Sequence, residues 1–228
     1  MDDIIAIDGP AAAGKSTVAQ RVADALGAPY VNTGNLYRAV TWAAMARGID
    51  PVAADADLAS FLVGFRLEHR RERDGALTLL AGDRPVGPEI RSPEVAAQVS
   101  RFAALPAVRE WLVARQRECA ALGRIVMEGR DIGTVIFPRA RHKFFLTASP
   151  EVRARRRLEQ DGETAVGATV ATVAAEIARR DEMDSTRTHA PLRRADDAVL
   201  IDSSDLDVAQ VVARIVDRVR GGGPEDAP

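Results

Sequence analysis

The segment Gly9-Pro-Ala-Ala-Ala-Gly-Lys-Ser16 restricts this chain more than any other stretch. It matches G-x-x-x-x-G-K-[ST], in which glycines let backbone N–H groups turn inward, a lysine reaches the outer phosphates of a nucleotide and a hydroxyl lies beside Mg²⁺. A glycine-rich turn can arise without function. Here the apolar run Ile4 to Ile7 ahead of it predicts a buried strand, and Val18, Ala19, Val22, Ala23 and Leu26 behind it keep helical spacing up to a capping Gly27. Strand, loop and helix in that order are the setting the pattern requires, and the helix adds the positive end of its dipole. Gly9, Pro10, Ala11, Ala12, Ala13, Gly14, Lys15, Ser16 and Thr17 are therefore the expected nucleoside triphosphate site, with Ser16 next to Mg²⁺. Lys15 stands out for a second reason: of 31 basic residues only Lys15 and Lys143 are lysines, so a compact ammonium is wanted at this position.

Beyond the loop, strands are predicted at 29–32, 124–127, 143–146 and 199–201, separated by helical stretches, one of which runs from Leu36 to Ala46. The alternation predicts an α/β three-layer sandwich, a five-stranded parallel sheet with helices on both faces. One stretch departs from it. Residues 61–88 read as two short strands around turns, a small antiparallel insertion. Ser92-Pro93-Glu94 then starts a helix that carries Val95, Val99 and Phe102 at helical spacing. At 228 residues the chain exceeds the roughly 150 of one domain, which suits a core with an insertion.

Charge narrows the partners. The formal net charge is -2, and the run Arg66 to Asp74 mixes signs without interleaved aromatics, so it reads as a solvated hairpin and not a nucleic-acid patch. No apolar run is long enough to span a bilayer, and the acidic start lacks the form of a secretory signal. Cys119 is the only cysteine and reads as a small core residue, which suits a cytoplasmic home. His69, His142 and His189 lack metal-ligand spacing and are expected at the surface.

The loop names a phosphate donor; the acceptor must come from the other strand ends. The second strand runs into Asn32-Thr33-Gly34-Asn35-Leu36-Tyr37-Arg38, bringing a hydroxyl, a ring and an arginine beside the first strand. The third ends in Glu128-Gly-Arg-Asp-Ile-Gly-Thr134, placing Arg130 and Asp131 at a carboxyl end, where open α/β sheets bind ligands. After the fourth, Arg153 and Arg157 share a helix face with Arg156 close by. A polar turn at 161–167 follows, and then a helix on which Arg180, Asp184 and Arg187 recur at spacings of four and three. Arginines on both sides of a flexible loop describe a lid over a phosphorylated ligand. There is no Asn-Lys-x-Asp guanine motif, and no strand runs into the Asp-Glu pair used by ATP-driven machines. A small-molecule kinase is the expected class, and a nucleotide-dependent switch is the alternative.

These motifs together resemble bacterial cytidylate kinases of the nucleoside monophosphate kinase superfamily. The resemblance runs from Ile5 to about Val219. It rests on Asp8–Thr17, Thr33–Arg38, Glu89-Ile-Arg91, Val99-Ser100, Val108-Arg109, Gly129–Thr134 and Ala190-Pro-Leu192. It implies ATP-dependent phosphorylation of CMP and dCMP with Mg²⁺, by a monomer. Lys15 and the loop amides would bind ATP phosphates. Arg38 and Arg130 would hold the acceptor phosphate, Thr33 and Tyr37 would also contact CMP, and Ser100, Arg109 and Asp131 would read the cytosine edge. Arg180, Asp184 and Arg187 would engage the sugar and its neighbours, and Arg153 and Arg157 would stabilise the transferring phosphoryl. In domain terms it implies a core of 1–34 and 103–220 with a lid at about 153–170. The acceptor domain would be 35–102 with its insertion, and 221–228 a disordered tail. The family carries an aspartate and a small residue where this chain has Asn32 and Asn35.

Overall fold

A computed structural model of the chain describes residues 3–51, 55–73, 75–160, 164 and 167–221. Five strands form the central sheet: β1 (Ile4–Asp8), β2 (Tyr30–Asn32), β6 (Ile125–Gly129), β7 (His142–Thr147) and β8 (Val199–Asp202). Their order is β2-β6-β1-β7-β8 and every neighbouring pair is parallel. β1 lies in the middle and all five of its residues are buried, as its unbroken apolar sequence requires. Its side chains alternate between two cores. Ile5 and Ile7 pack with α1 (Lys15–Leu26) and α8 (Val208–Arg220), while Ile4 and Ala6 pack on the opposite face with Met127, Ile132 and Cys119. The α/β sandwich and its parallel sheet are as expected. The carboxyl ends Asp8, Asn32 and Gly129 emerge along one edge, where β1 and β6 pair Asp8 with Gly129.

A third core belongs to the segment between β2 and β6. It joins Leu36, Ala39 and Val40 of α2 (Thr33–Met45) to Leu58 and Phe61 of α3 (Asp55–Gly64). Phe102 of α4 (Pro93–Ala104) and Val108 and Leu112 of α5 (Pro106–Glu118) complete it. A small antiparallel sheet of β3 (Leu67–Arg71), β4 (Leu77–Ala81) and β5 (Arg84–Pro85) projects from it. The insertion expected at 61–88 thus begins within a helix and holds three strands where two are predicted. Leu58, Phe61 and Leu62 are buried at helical spacing, which keeps Phe61 on α3. Helix α2 begins at Thr33, ahead of the predicted Leu36, because Oδ1 of Asn32 accepts the N–H of Asn35 at 3.1 Å and caps it. His69 is half-buried, its Nδ1 3.7 Å from Sγ of Cys119, and burial lowers its pKa.

Two helices complete the site's surroundings: α6 (Pro150–Leu158) and α7 (Val170–Thr186), which opens with a capping box between Thr169 and Thr172. Most of the turn predicted between them at 161–167 lies outside the described residues, as does the tail beyond Gly221. Among the described residues, no helix is long and apolar enough to cross a membrane.

Candidate active site

The donor loop folds as its glycines dictate. A Cβ on Gly9 would fall on the backbone carbonyl of Leu146, so the loop can leave β1 only through glycine. Gly14 takes the left-handed conformation, φ 88°, just ahead of α1. The residues from Ala11 to Thr17 then line a cavity of about 110 Å³ with Arg38, Arg130, Arg157, Arg180 and Glu128. Lys15 is buried and its Nζ donates to the carbonyl of Pro10 at 2.7 Å. Burial pushes its pKa down to about 7, and the charge of Arg130 adds to the effect.

Next to this cavity lies a smaller one of about 60 Å³, lined by Thr33, Tyr37, Ser100, Arg109, Asp131, Asp184 and Arg187. The two share Gly34, Gly129, Arg130 and Arg180, so Arg130 and Arg180 stand at their junction. Gly129 makes the junction narrow: a Cβ there would strike Ile132 and Thr33 Oγ1, whose hydroxyl donates to the carbonyl of Glu128 at 2.7 Å. Arg130 Nε donates to Asp184 Oδ2 at 3.0 Å and links β6 to α7. Burial works against charge on Asp184, yet Arg130, Arg180 and Arg187 together hold its pKa below the usual value.

The far end of the smaller cavity is a polar pocket inside the protein. Arg109 Nη2 and Asp131 Oδ2 form an ion pair buried on both sides, and Arg109 Nη1 also donates to the carbonyl of Ala103 at 3.3 Å. The Arg109 guanidinium lies 5.6 Å from the centre of the Tyr37 ring. Burial raises the Asp131 pKa against the opposing charges of Arg109, Arg187 and Arg130. Asp131 owes its placement to a wide turn at 132–136, where Ile136 and Phe137 return their N–H groups to the carbonyls of Asp131 and Ile132.

Positive charge is concentrated where the two cavities meet. Arg180 is pushed down to about 9, first by burial and then by Arg130, with Arg38 and Arg157 adding to it. Nε of Arg180 and Nη2 of Arg187 are buried without a hydrogen-bond partner among the described residues. Buried cations facing one another, with donors left over, are stable only opposite anions, and planar guanidinium forks match phosphate oxygens.

The predicted acceptor residues line the smaller cavity except Arg38, which lines the donor cavity next to it, and the predicted donor residues line the donor cavity except Gly9 and Pro10 at the start of the loop. One expected phosphate ligand is elsewhere. Arg153 is buried behind the loop, where its Nε donates to the carbonyl of Ala148 at 3.1 Å and its Nη1 to the carbonyl of Ala11 at 3.2 Å. It pairs there with Asp181, so its guanidinium does not line the cavity.

Other residues at the site lack a signal in the sequence. Glu128 lines the donor cavity, and Oε1 of its carboxylate accepts the hydroxyl of Tyr30, which accepts in turn from Asn32 Nδ2 at 3.0 Å. A third cavity of about 360 Å³ opens on the outer side of the loop. Gly14, Thr17, Arg156, Ser203, Leu206 and Val211 line it. Arg156 binds Ser203 there through Nη1 to Oγ at 2.9 Å and Nη2 to the carbonyl at 2.8 Å. Only its place in an arginine-rich helix hinted at Arg156, and nothing local pointed to Ser203.

A parallel sheet whose first strand delivers a phosphate loop, with a buried lysine and converging arginines, defines a P-loop kinase. The chain belongs to the cytidylate kinase family, whose model matches residues 5–221. It is 48% identical over 220 residues to the cytidylate kinase of Mycobacterium avium, covering 96% of each chain. Its identity to the cytidylate kinase of Geobacillus kaustophilus is also 48%, over 94% of this chain and 95% of that one. Among solved structures, an uncharacterized protein from Eubacterium ventriosum shares the fold with a TM-score of 0.53 at 13% identity, over 95% of this chain and 98% of that one.

Proposed function

We propose that the chain transfers the γ-phosphoryl group of ATP to CMP and dCMP, forming ADP with CDP or dCDP. The observation that carries this reading is the pair of joined cavities with Arg130 and Arg180 at their junction. Two phosphorylated molecules entering from opposite ends would meet end to end there, which is the alignment in-line transfer needs.

The donor triphosphate lies in the loop, with Lys15 and the amides of α1 at its outer phosphates. Its base has room in the outer cavity beside Arg156 and Ser203. Mg²⁺ suits the oxygens of Ser16 and Glu128. Among the described residues no three His, Cys, Asp or Glu side chains gather to hold a metal, so a cation there takes its other ligands from phosphate and water, the habit of Mg²⁺. When bound, it neutralises charge between the outer phosphates. Arg38 and Arg130 hold the CMP phosphate, and Arg180, Asp184 and Arg187 hold the sugar. Ser100, Arg109 and Asp131 face the base, with an Asp131 carboxyl oxygen accepting from the exocyclic amine of cytosine. Lys15, Arg130 and Arg157 stabilise the transferring group.

Residues 35–102 serve as the acceptor-binding domain, and 1–34 with 103–220 as the core. The arms of the lid at about 153–170 are α6 and α7, and its closure excludes the water that would otherwise hydrolyse ATP. The reading is of a monomer acting on small molecules, and neither nucleic acid nor membrane enters it. The single buried cysteine supports a cytoplasmic setting. Lys15→Met tests the assignment: turnover should fall by about 10³ or more while CMP still binds, since an electrostatic contact made in the transition state is lost. Near-normal turnover would refute it.

A further inference from the structure

Ala11, at the crest of the donor loop, is held by a single ion pair. Its N–H donates to Asp181 Oδ1 at 3.0 Å, and its carbonyl accepts from Arg153 Nη1 at 3.2 Å. Arg153 and Asp181 are themselves salt-bridged, in surroundings where both side chains are largely buried. The side chain of Ala11 is also buried, packed against Ala154 of α6 and Val173 and Ile177 of α7. The next residue, Ala12, has φ 56°, in the left-handed region that costs a residue with a Cβ about 1 kcal/mol or more. Such a conformation persists only where its surroundings over-determine it. Asp181 also follows Arg180 directly on α7. The helix that presents Arg180 and Asp184 to the acceptor cavity, with Arg187 just past its end, therefore grips the donor loop with the residue next to Arg180.

We infer that Arg153 and Asp181 form a clamp that presets the crest of the donor loop and ties it to the acceptor-binding helix. Arg153 is then a positioning residue, and Arg157 is the arginine of α6 that faces the phosphates, being the one that lines the donor cavity. The clamp also joins the two substrate sites: occupancy of one stiffens the frame of the other, so each nucleotide favours binding of its partner.

The inference rests on the kinase reading, but its test stands apart from the acceptor's identity. The Mg²⁺ complex of a non-hydrolysable ATP analogue is titrated into the full chain, with and without CMP, for the wild type, Asp181→Ala, Arg153→Ala and the double variant. Melting is followed for each. Asp181→Ala should weaken analogue binding about fivefold to tenfold. Arg153→Ala should weaken it by the same or more, because it leaves the Asp181 carboxylate unpaired beside the phosphates. The double variant should bind no worse than Arg153→Ala, since both changes dismantle one device. CMP alone should bind within twofold of wild type throughout, and any mutual enhancement between the nucleotides should shrink. If Arg153→Ala does not fold, Arg153→Lys with Asp181→Asn gives the same cycle. Asp181→Ala close to wild type, with the loss confined to Arg153→Ala, would overturn the clamp, because that describes an arginine bound directly to phosphate; so would two substantial losses that add in the double variant. Loss of analogue and CMP affinity in step with melting temperature would overturn it too, as general destabilisation.

Discussion

The carboxylate of Asp8 accepts the backbone N–H of Gly133 at 2.8 Å. Its other oxygen accepts the N–H of Ile132 at 2.9 Å, so the last residue of β1 holds the turn that follows Arg130 and Asp131. Gly133 is confined from the other side by the stem of Lys143, whose Nζ is paired with Asp197 at 2.7 Å. The strand that ends in the donor loop thus also sets the position of the Asp131 carboxylate.

This arrangement has a pH signature. Burial raises the Asp8 pKa from 3.8 to about 6, against the two backbone hydrogen bonds that lower it. A carboxyl whose folded pKa is raised binds its proton more tightly folded than unfolded. Its contribution to stability is therefore full below pH 4 and is lost as pH rises to about 6. Asp8→Asn lacks that titration. The stability advantage of wild type over the variant should shrink by on the order of 3 kcal/mol between pH 4 and pH 7, read from denaturant unfolding at each pH. An advantage that widens over this range would contradict the assignment.

The Arg109–Asp131 pair carries two separable consequences. Arg109→Ala strands a buried carboxylate and should cost about 3–5 kcal/mol, seen as a melting temperature lower by roughly 10 °C. Asp131→Asn removes the charge but keeps the shape, so its effect should fall on base choice. The ratio of kcat/KM for CMP to that for UMP should drop by about 10-fold to 100-fold, the worth of a charged hydrogen bond. An unchanged ratio would remove Asp131 from base recognition.

Glu128 predicts a metal phenotype. Glu128→Gln keeps an acceptor for the Tyr30 hydroxyl and loses the charge. The Mg²⁺ concentration for half-maximal rate should rise about tenfold and kcat should fall about 10-fold to 100-fold. CMP affinity measured without metal should stay within twofold. A rate loss with an unchanged Mg²⁺ requirement would place Glu128 outside the metal's surroundings.

Much of this site was legible in the chain because its chemistry is written locally. A strand, a glycine loop and a helix within residues 4–26 specify the donor site, and the parallel sheet follows from alternating apolar runs. What the sequence hid depends on contacts between distant segments. Asp8 reaches across 125 positions to Gly133, and Asp181 reaches 170 positions back to Ala11. Neither is distinguishable from a surface acid by spacing alone. Arg153 misled for the same reason. It shares a helix face with Arg157, but only the fold shows that Asp181 waits behind the loop to bind it. The helix at 55–64 escapes a reading of the pattern because its apolar residues Phe61, Leu62 and Val63 lie close in sequence to Phe65 and to Leu67 of β3.

On the proposed reading, the joined cavities take ATP on one side and a cytosine monophosphate on the other. Its most direct test is ADP release by the purified chain with MgATP and, in turn, CMP, dCMP, UMP, AMP and GMP. ADP should form rapidly and stoichiometrically with CMP and dCMP, with kcat/KM lower by about 10-fold or more for UMP and little turnover above background with the purines. Equal rates across the panel, or ADP release indifferent to any monophosphate, would contradict it.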